Sequence, residues 1–407
     1  MKLSEAELKI ILDSRGEETL QAELRAENFS ASASVPSGKS RGAHETFVLE
    51  PKQAVSRFKD LRNKILDKEF DTQKEFDDFL ISLDGTPGKS NLGGNLILAL
   101  SLAWARLKAK NEGLELFQYI NKLLITHYSL LNTNFPRPIF NVIEGGVHAR
   151  DNLEFQEFQI IPEVSSFSMA LNLGKEFYDK LQELLKRKFG KQNIELGDES
   201  GFSVSLPKDE DVLEILINLI ASDNYPLRIG LDAAASQFYK KEEGFYIIND
   251  KKYSPEELKN YYLSLIENFN ILSIEDPFYE EDFDSFMKLR QDIEQKRSST
   301  LIITDDLTTT NPERLKRAVD KKAGNAILIK PNQIGTLTET LQVVKLAYEN
   351  NWQAVASHRS GETTDDFIAD LAVGIGAWGI KSGAPATPYR LSKYERLLTI
   401  EKELAGK

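Results

Sequence analysis

Two hydrophobic patterns divide the first third of the chain. Apolar and polar residues alternate between Lys9 and Pro36, which predicts a three-stranded meander of half-buried strands. After a loop of small residues at 37–45, apolar residues recur at helical spacing from Pro51 onward, and proline suits the first turn of a helix. These patterns predict a small α+β module over residues 1–130.

The second half of the chain alternates short apolar strands with amphipathic helices. Strands are expected at 227–231, 271–274, 301–303, 326–329, 354–356 and 378–380. Each of the first five precedes an amphipathic helix, and Ser254 with Glu257 forms a capping box before one of these helices. Repeated strand–helix units imply parallel strands joined by right-handed crossovers. The pattern predicts either a closed β/α barrel or a doubly wound sheet within residues 131–407.

The charge balance narrows the range of partners. With 51 Lys and Arg against 63 Asp and Glu, the net charge is -12, which argues against nucleic acid or an anionic membrane as a general partner. The absence of cysteine excludes disulfides and thiolate chemistry and fits a reducing compartment. The charged N-terminus lacks a signal peptide, and the most apolar run, Leu96 to Ala105, is too short to span a bilayer. We therefore expect a cytoplasmic protein. The acidic net charge is still compatible with a local basic pocket that binds a small anion.

Reactive side chains stand at the ends of the predicted strands. In chain order they are Asp232, Glu275, Asp305, Lys330, His358, Arg359 and Lys381. Because the carboxyl ends of barrel strands open onto one face, we expect these residues to converge there. Three neighbouring carboxylates form an all-oxygen cluster that needs a divalent cation to offset its repulsion, and Mg²⁺ is the natural choice. Each acid taken alone also fits a helix cap or a solvated loop.

A lysine at a strand end has two interpretations. A desolvated Lys330 or Lys381 loses its proton more readily and can serve as a general base, whereas an ordinary lysine extends its side chain to solvent. The polar run Lys330-Pro331-Asn332-Gln333 interrupts an apolar strand, which favours a functional role for Lys330.

Glycine-rich segments carry further polar residues. Three of the four histidines, His44, His148 and His358, lie in glycine- or serine-rich segments. Glu157 follows the segment around His148, and Glu199 lies in a turn between glycines. Either glutamate alone fits surface charge, but together they suit a general acid and a partner that orients water.

An ordered set of motifs resembles the enolase family. The matching strings are Ser37-Gly38-x-Ser40-x-Gly42-x-His44-Glu45, Leu83-Asp84-Gly85-Thr86-Pro87, Gly145-Gly146-x-His148-Ala149, Gln156-Glu157-Phe158, Gly197-Asp198-Glu199, Ile274-Glu275-Asp276-Pro277, Asp305-Asp306-Leu307, Asn332-Gln333-Ile334-Gly335-Thr336-Leu337, Ser357-His358-Arg359-Ser360-Gly361-Glu362-Thr363 and Ile380-Lys381-Ser382-Gly383-Ala384-Pro385. They follow the family's order over nearly the whole chain. The resemblance implies a C-terminal enolase-type β/α barrel over residues 131–407, preceded by a smaller α+β capping domain whose loop 37–45 is a lid.

The same resemblance implies the reaction and its metal ions. Enolases are carbon–oxygen lyases that reversibly dehydrate 2-phosphoglycerate to phosphoenolpyruvate in glycolysis and gluconeogenesis. The resemblance implies two Mg²⁺ ions, with Asp232, Glu275 and Asp305 as ligands of the tightly held ion. Ser40 is implied as a ligand of a second ion that arrives with substrate, and as a substrate contact.

Catalytic roles are also carried over by the resemblance. Lys330 is implied as the base that removes the C2 proton, and Lys381 as a contact of the substrate carboxylate. Glu199 is implied as the acid for the departing hydroxyl group, assisted by Glu157 and Gln156. The remaining implied contacts are Arg359 and Ser360 for the phosphate, and His148 and His358 as residues that close on the substrate.

Several positions depart from the family's pattern. Ser200 replaces a glycine beside the implied acid, Glu144 replaces an asparagine, and Pro331 replaces an apolar residue such as valine after the implied base. These changes leave the catalytic rate open. Gln21 and Thr399 replace the Glu and Arg that join dimer subunits in the family, so we expect a homo-oligomer without that ion pair.

Two other functions fit parts of the sequence. A superfamily relative acting on another carboxylate would share the metal ligands, but should lack the Ser40 loop and the phosphate string 357–363. An enolase-like protein with a non-catalytic binding role, for instance through Lys407, has no need of both lysines and three acids; Lys407 alone also fits a frayed, solvated end. The expected partner is a small phosphorylated carboxylate, with no nucleic acid and no membrane.

Overall fold

The computed structural model describes residues 1–39, 42–124, 135–146 and 153–406. Its strands in chain order are β1 (Glu5–Leu12), β2 (Glu18–Ala26), β3 (Phe29–Ser34), β4 (Arg137–Glu144), β5 (Glu157–Pro162), β6 (Glu195–Leu196), β7 (Phe202–Ser203), β8 (Leu227–Asp232), β9 (Tyr239–Lys240), β10 (Phe245–Ile248), β11 (Lys251–Tyr253), β12 (Ile271–Glu275), β13 (Leu301–Thr304), β14 (Ala326–Ile329), β15 (Gln353–Ser357) and β16 (Gly379–Lys381). Its helices in chain order are α1 (Pro51–Leu66), α2 (Gln73–Asp84), α3 (Gly94–Asn111), α4 (Leu116–Leu124), α5 (Phe167–Phe189), α6 (Asp209–Ser222), α7 (Pro255–Phe269), α8 (Phe283–Gln295), α9 (Pro312–Lys321), α10 (Pro331–Ile334), α11 (Leu337–Glu349), α12 (Phe367–Gly374) and α13 (Pro388–Ala405).

The predicted meander is the antiparallel sheet β1-β2-β3. Its inward positions alternate along β2, where Leu20, Ala22 and Leu24 are buried, because successive strand residues point to opposite faces. Helix α3 packs on β2 and β3 and is buried on nearly every side, which explains its almost uninterrupted apolar sequence. The meander and the first helices therefore share one core.

Local signals fix the helix ends. The Thr72 hydroxyl accepts the N–H of Glu75, and the Glu75 carboxylate binds back to the Thr72 N–H, so α2 begins with a complete capping box. It ends at Gly85, whose φ of 70° suits glycine. The capping box predicted at Ser254 and Glu257 is also present, at the start of α7.

The central sheet closes into a barrel. Its strands follow one another in the order β16-β15-β14-β13-β12-β8-β5-β4, and β16 pairs with β4 to complete the ring. Side chains from several barrel strands, among them Ile139, Ile161, Leu272 and Leu328, form a buried apolar cluster, so the barrel is a packed core and not a channel. Of the two predicted arrangements, the closed barrel is confirmed.

One barrel strand runs against its neighbours. The strands predicted between residues 227 and 380 are all present and parallel, but β5 pairs antiparallel with both β4 and β8. β4 ends at Glu144 and β5 begins at Glu157, and the two strands pair in opposite directions, with Phe140 opposite Ile160 and Glu144 opposite Glu157. β5 therefore breaks the parallel order of the barrel ring, and it lies before the strands for which the sequence predicts parallel pairing.

Among the helices described, none is both long and apolar enough to cross a membrane.

Candidate active site

The predicted site residues meet in one cleft at the barrel mouth. The cleft encloses about 530 Å³, measured with its open mouth. Its lining includes Gln156, Glu157, Glu199, Asp232, Asp305, Lys330, His358, Arg359, Ser360 and Lys381. Glu275 lies beneath the cleft and contacts Lys381. Ser40 and His148 lie outside the described residues, as does Lys407.

Strand register brings the acids to one level. Asp232 ends β8 and is paired with Glu157 at the start of β5 and with Glu275 at the end of β12. Because β5 is reversed, its amino end lies at the same face as the carboxyl ends of its neighbours. Three carboxylates from three adjacent strands are therefore side by side.

A single ammonium group lies among these acids. Lys381 Nζ is 2.8 Å from Glu275 Oε2, 3.0 Å from Glu157 Oε1 and 3.1 Å from Asp232 Oδ2. Burial acts to lower the pKa of Lys381, but the attraction of the three carboxylates outweighs it and raises the pKa well above its usual value. Lys381 is therefore held as a cation among these three carboxylates.

Lys330 contacts the third predicted metal ligand. Its Nζ donates to Asp305 Oδ2, while Gln333 Nε2 donates to Asp305 Oδ1 at 2.9 Å. Burial acts to lower the pKa of Lys330, but Asp305 outweighs it and the pKa is raised. In this state the carboxylate partner of Lys330 outweighs its desolvation, and the role of Lys330 as a base stays a prediction.

The acids at the mouth fit a hard cation. Oxygens of Asp276, Asp305 and Asp306 lie within 4.8 Å of one another. Asp276, however, accepts the backbone N–H groups of Asp305 at 3.0 Å and Asp306 at 2.6 Å, so its oxygens support the loop. The carboxylates of Asp232, Glu275 and Asp305 instead face the ammonium groups of Lys381 and Lys330, and their oxygens are the type of ligand that a hard divalent cation prefers.

A buried carboxylate shapes the turn that carries Glu199. Glu144 accepts the N–H of Gly201 at 2.5 Å and that of Glu199 at 3.1 Å, and it leaves no room for a side chain on Gly197. Ser200 has a φ of 71°, a conformation that favours glycine, and its hydroxyl lies 2.8 Å from that of Thr387. The Glu144 departure thus has a definite structural role.

The Glu199 carboxylate is held from two sides. Asn141 Nδ2 donates to Glu199 Oε2 at 3.2 Å, and His358 Nε2 lies 3.1 Å from the same oxygen. Arg390 Nη1 lies 2.5 Å from His358 Nδ1, and arginine can only donate, so Nδ1 accepts and the ring proton is on Nε2. The neutral imidazole therefore directs an N–H group towards Glu199.

Acidification should destabilise the fold through His358. Burial lowers the pKa of His358 to about 3, whereas a free imidazole titrates near about 6.5. Between these values the unfolded chain binds a proton that the native ring does not, so the free energy of unfolding falls as the pH falls. His358→Asn keeps an acceptor for Arg390 but cannot titrate. The free energy of unfolding in urea should fall less between about pH 7.5 and about pH 5 for the variant than for the wild type. Equal decreases in the two proteins would contradict the assignment.

Arg359 and Ser360 border the cleft on the β15 side. Arg359 Nη1 and Nη2 bind the two oxygens of Glu45 at 2.9 Å and 3.0 Å, and Nη1 also donates to Asn332 Oδ1 at 3.2 Å. Ser360 Oγ accepts the N–H of Lys39 at 2.9 Å.

Pro331 occupies the first turn of α10, directly after Lys330, where a missing N–H is tolerated.

Several residues of this site have no role that the sequence predicts. Asn141 and Gln159 lie within apolar strands, and Gln159 Nε2 donates to Glu157 Oε2 at 2.9 Å. A polar residue inside an apolar run was the available signal for both. Glu45 and Asp276 belong to quoted motifs, but their partners lie far away in the chain.

The barrel and the polar groups clustered at its mouth are those of an enzyme of the β/α-barrel class. Residues 4–120 match the family model described as "Enolase, N-terminal domain", and residues 132–407 match "Enolase, C-terminal TIM barrel domain". The chain belongs to the enolase family, whose members are lyases, and the resemblance read from the motifs is confirmed.

Curated relatives agree along the whole length of the chain. It is 41% identical to Enolase B of Dictyostelium discoideum, covering 99% of this chain and 95% of the relative. It is also 41% identical to the enolase of Methanocaldococcus jannaschii, covering 97% of this chain and 93% of the relative. The enolase of Sulfurisphaera tokodaii is 41% identical, with 97% and 94% covered.

Proposed function

We propose that this enolase catalyses the reversible, Mg²⁺-dependent dehydration of 2-phosphoglycerate to phosphoenolpyruvate in glycolysis and gluconeogenesis. The observation that carries this proposal is the presence of an amine, Lys330, and a buried acid, Glu199, on one cleft but on different parts of the barrel ring. Loss of water across two carbons requires both groups, because one proton leaves C2 and another reaches the hydroxyl group on C3.

Each residue has a defined task in this proposal. Lys330 removes the C2 proton after giving up its own, and the electron pair moves onto the substrate carboxylate, where Lys381 stabilises the added charge. The electrons then form the C2–C3 double bond as the C3–O bond breaks. Glu199 protonates the departing oxygen, and Glu157 and Gln156 assist in orienting it.

The neighbours of Glu199 suit it to this task. The amide of Asn141 donates to its carboxylate, His358 Nε2 lies 3.1 Å from the same oxygen, and Glu144 accepts its backbone N–H. His148, outside the described residues, is proposed to close on the substrate together with His358.

Arg359 and Ser360 are proposed to hold the phosphate group. A guanidinium group binds phosphate oxygens through paired N–H groups, and Arg359 is buried, which strengthens such bonds. Ser40, on the lid loop outside the described residues, is proposed to contact both substrate and a metal ion.

Two Mg²⁺ ions are proposed, the first held by Asp232, Glu275 and Asp305 and the second arriving with substrate at Ser40. When bound, Mg²⁺ supplies positive charge that offsets these acids and the charge developing on the substrate carboxylate. The protein's own contribution is to hold the acids at one level at the strand ends and to keep Lys381 beside them.

The direct test is to incubate the purified protein with 2-phosphoglycerate and follow phosphoenolpyruvate by its ultraviolet absorbance. Product should form with Mg²⁺ and should not form with excess chelator. Absence of metal-dependent product from a folded sample would overturn the proposal. Activity on another carboxylate alone would favour the superfamily alternative.

Replacing the proposed acid should separate the two halves of the reaction. Glu199→Gln is expected to slow dehydration by roughly 10²–10⁴-fold while exchange of the C2 hydrogen with solvent stays detectable, because the amide cannot donate a proton to the hydroxyl group. Deuterium incorporation into 2-phosphoglycerate, read by nuclear magnetic resonance, measures exchange. Glu176→Gln, on an exposed glutamate of α5, is the matched control. Loss of exchange in Glu199→Gln would contradict the assigned role.

The remaining assignments are proposals of wider scope. The domain boundary near residue 130 lies outside the described residues. A homo-oligomer is proposed without the family's ion pair, since Gln21 donates to Ser34 Oγ at 3.0 Å and Thr399 bonds within α13. A cytoplasmic location remains a prediction from the lack of cysteine.

A further inference from the structure

A carboxylate of this chain already occupies the guanidinium group of Arg359. Glu45 Oε2 lies 2.9 Å from Nη1, and Oε1 lies 3.0 Å from Nη2, so the pair is bidentate. Both side chains are only 5% exposed. A bidentate pair this well buried has little water to compete with it.

The Glu45 carboxylate is also tied to its own turn. Oε1 accepts the N–H of Gly42 at 3.0 Å, and the N–H of Glu45 donates to the Gly42 carbonyl at 3.2 Å. A Cβ on Gly42 would lie 2.9 Å from the Thr309 side chain and 3.2 Å from Asp306, so the turn packs closely on the loop after β13. The carboxylate cannot leave Arg359 without altering this turn.

Carboxylate and phosphate oxygens bind the same pair of guanidinium N–H groups. The two Nη atoms that face Glu45 cannot hold a phosphate group in the same bidentate manner at the same time. We propose that Glu45 is an internal competitor for the anion site of Arg359, and that a phosphate monoester dianion binds there by displacing the Glu45 carboxylate. This rests on the proposed function, in which Arg359 holds the substrate phosphate.

The competition makes the anion site selective. A singly charged anion gains no more from Arg359 than Glu45 already gives, whereas a dianion brings extra charge to offset the displacement. Phosphate binding is thereby linked to a rearrangement of residues 42–45. Glu45 affects ligand binding only through Arg359. A ligand must bind Arg359 more strongly than the Glu45 carboxylate does in order to displace it.

Inorganic phosphate titrated by calorimetry into the protein in excess chelator tests the proposal. Glu45→Gln keeps the shape but removes the charge, and it should bind phosphate about tenfold more tightly than the wild type, equivalent to about 1.4 kcal/mol. Glu45→Asp keeps the charge but shortens the side chain, so its gain in phosphate affinity should be smaller. This variant replaces Glu45→Gln in the test if Glu45→Gln does not fold. Equal or weaker phosphate binding by the folded Glu45 variants would overturn the proposal.

A matched control separates charge from loosening of the turn. Glu281 binds His44, the neighbour of Glu45, at 2.9 Å, and also binds Arg314 and Arg317. Glu281→Gln should leave phosphate affinity within about twofold of the wild type, and an equal gain in both variants would overturn the proposal. Adding Arg359→Met to Glu45→Gln should abolish the gain in phosphate affinity. If the gain persists, phosphate binds at another place and the proposal is overturned. None of these readouts depends on turnover, so a failed dehydration assay would be distinguishable.

Discussion

Lys330→Ala should abolish both dehydration and exchange of the C2 hydrogen with solvent. The variant lacks the amine proposed to remove the proton, and the groups around it do not replace an amine: Gln333 and the Asp305 carboxylate remain, already bonded to each other at 2.9 Å. Loss of a general base costs roughly 10²–10⁴-fold in rate, so both signals should fall below detection in ordinary assays. Exchange is measured by deuterium incorporation into 2-phosphoglycerate.

A second buried lysine provides the control. Lys89 is buried and its Nζ lies 2.9 Å from Glu339 Oε1, as an ion pair away from the cleft. Lys89→Met should lower stability through the unpaired glutamate while keeping the exchange reaction. Exchange at the wild-type rate in Lys330→Ala would remove Lys330 from the proposed role. Loss of exchange in both variants would point to a general loss of structure.

Lys381→Met should be the most destabilising single change at the site. Its ammonium group contacts Asp232, Glu157 and Glu275, and without it three buried carboxylates face one another. Removing one partner of a buried ion pair typically costs about 3–5 kcal/mol. In chelator, we expect the free energy of unfolding to fall by about that amount, as measured by urea denaturation.

The pH dependence identifies the cause of this loss. Burial and repulsion from neighbouring carboxylates raise the pKa of Glu157 and Glu275 well above the usual value, and loss of Lys381 removes a charge that acts against this rise at both groups. The native variant then binds more protons than its unfolded chain, so its stability rises as the pH falls. The loss relative to the wild type should therefore be smaller at about pH 5.5 than at about pH 8.

A compensating variant tests the same idea. Adding Glu275→Gln to Lys381→Met removes one of the opposed charges and should recover part of the stability at high pH. A loss that is independent of pH and unaffected by Glu275→Gln would show that packing, and not charge, is responsible.

The sequence predicted those parts of the site that have local signals. A short apolar strand followed at once by Asp232, Glu275 or Lys381 is visible within a few residues, and barrel topology then brings such ends together. The prediction of convergence is met because β8, β12, β13, β14, β15 and β16 all run in the same direction.

The two barrel strands before residue 227, β4 and β5, could not be predicted in the same way. Every residue of β5 is buried, and in β4 all but Arg137 are buried, so neither strand shows alternation. A short apolar run of this kind is compatible with either a strand or a buried helix. The reversed direction of β5, and with it the contact between Glu157 and Lys381, depends on register with distant strands.

The protonation states of the buried site residues could not be predicted from the sequence either. Whether burial or a partner decides the pKa of Lys330 depends on Asp305 lying within hydrogen-bonding distance, 25 residues away in the chain. The same holds for Asp276, which a motif contains but whose bonds to the backbone of Asp305 and Asp306 are visible only in three dimensions.

The reversal of β5 also offers a way to observe motion at the cleft. Its carboxyl end emerges on the opposite face of the barrel, where Ser165 is exposed, while Lys39 is exposed beside the cleft. Because the chain has no native thiol, cysteines placed at these two positions would be the only attachment points for a pair of spectroscopic labels. The distance between such labels would test whether Lys39 moves relative to a reference point on the far side of the barrel.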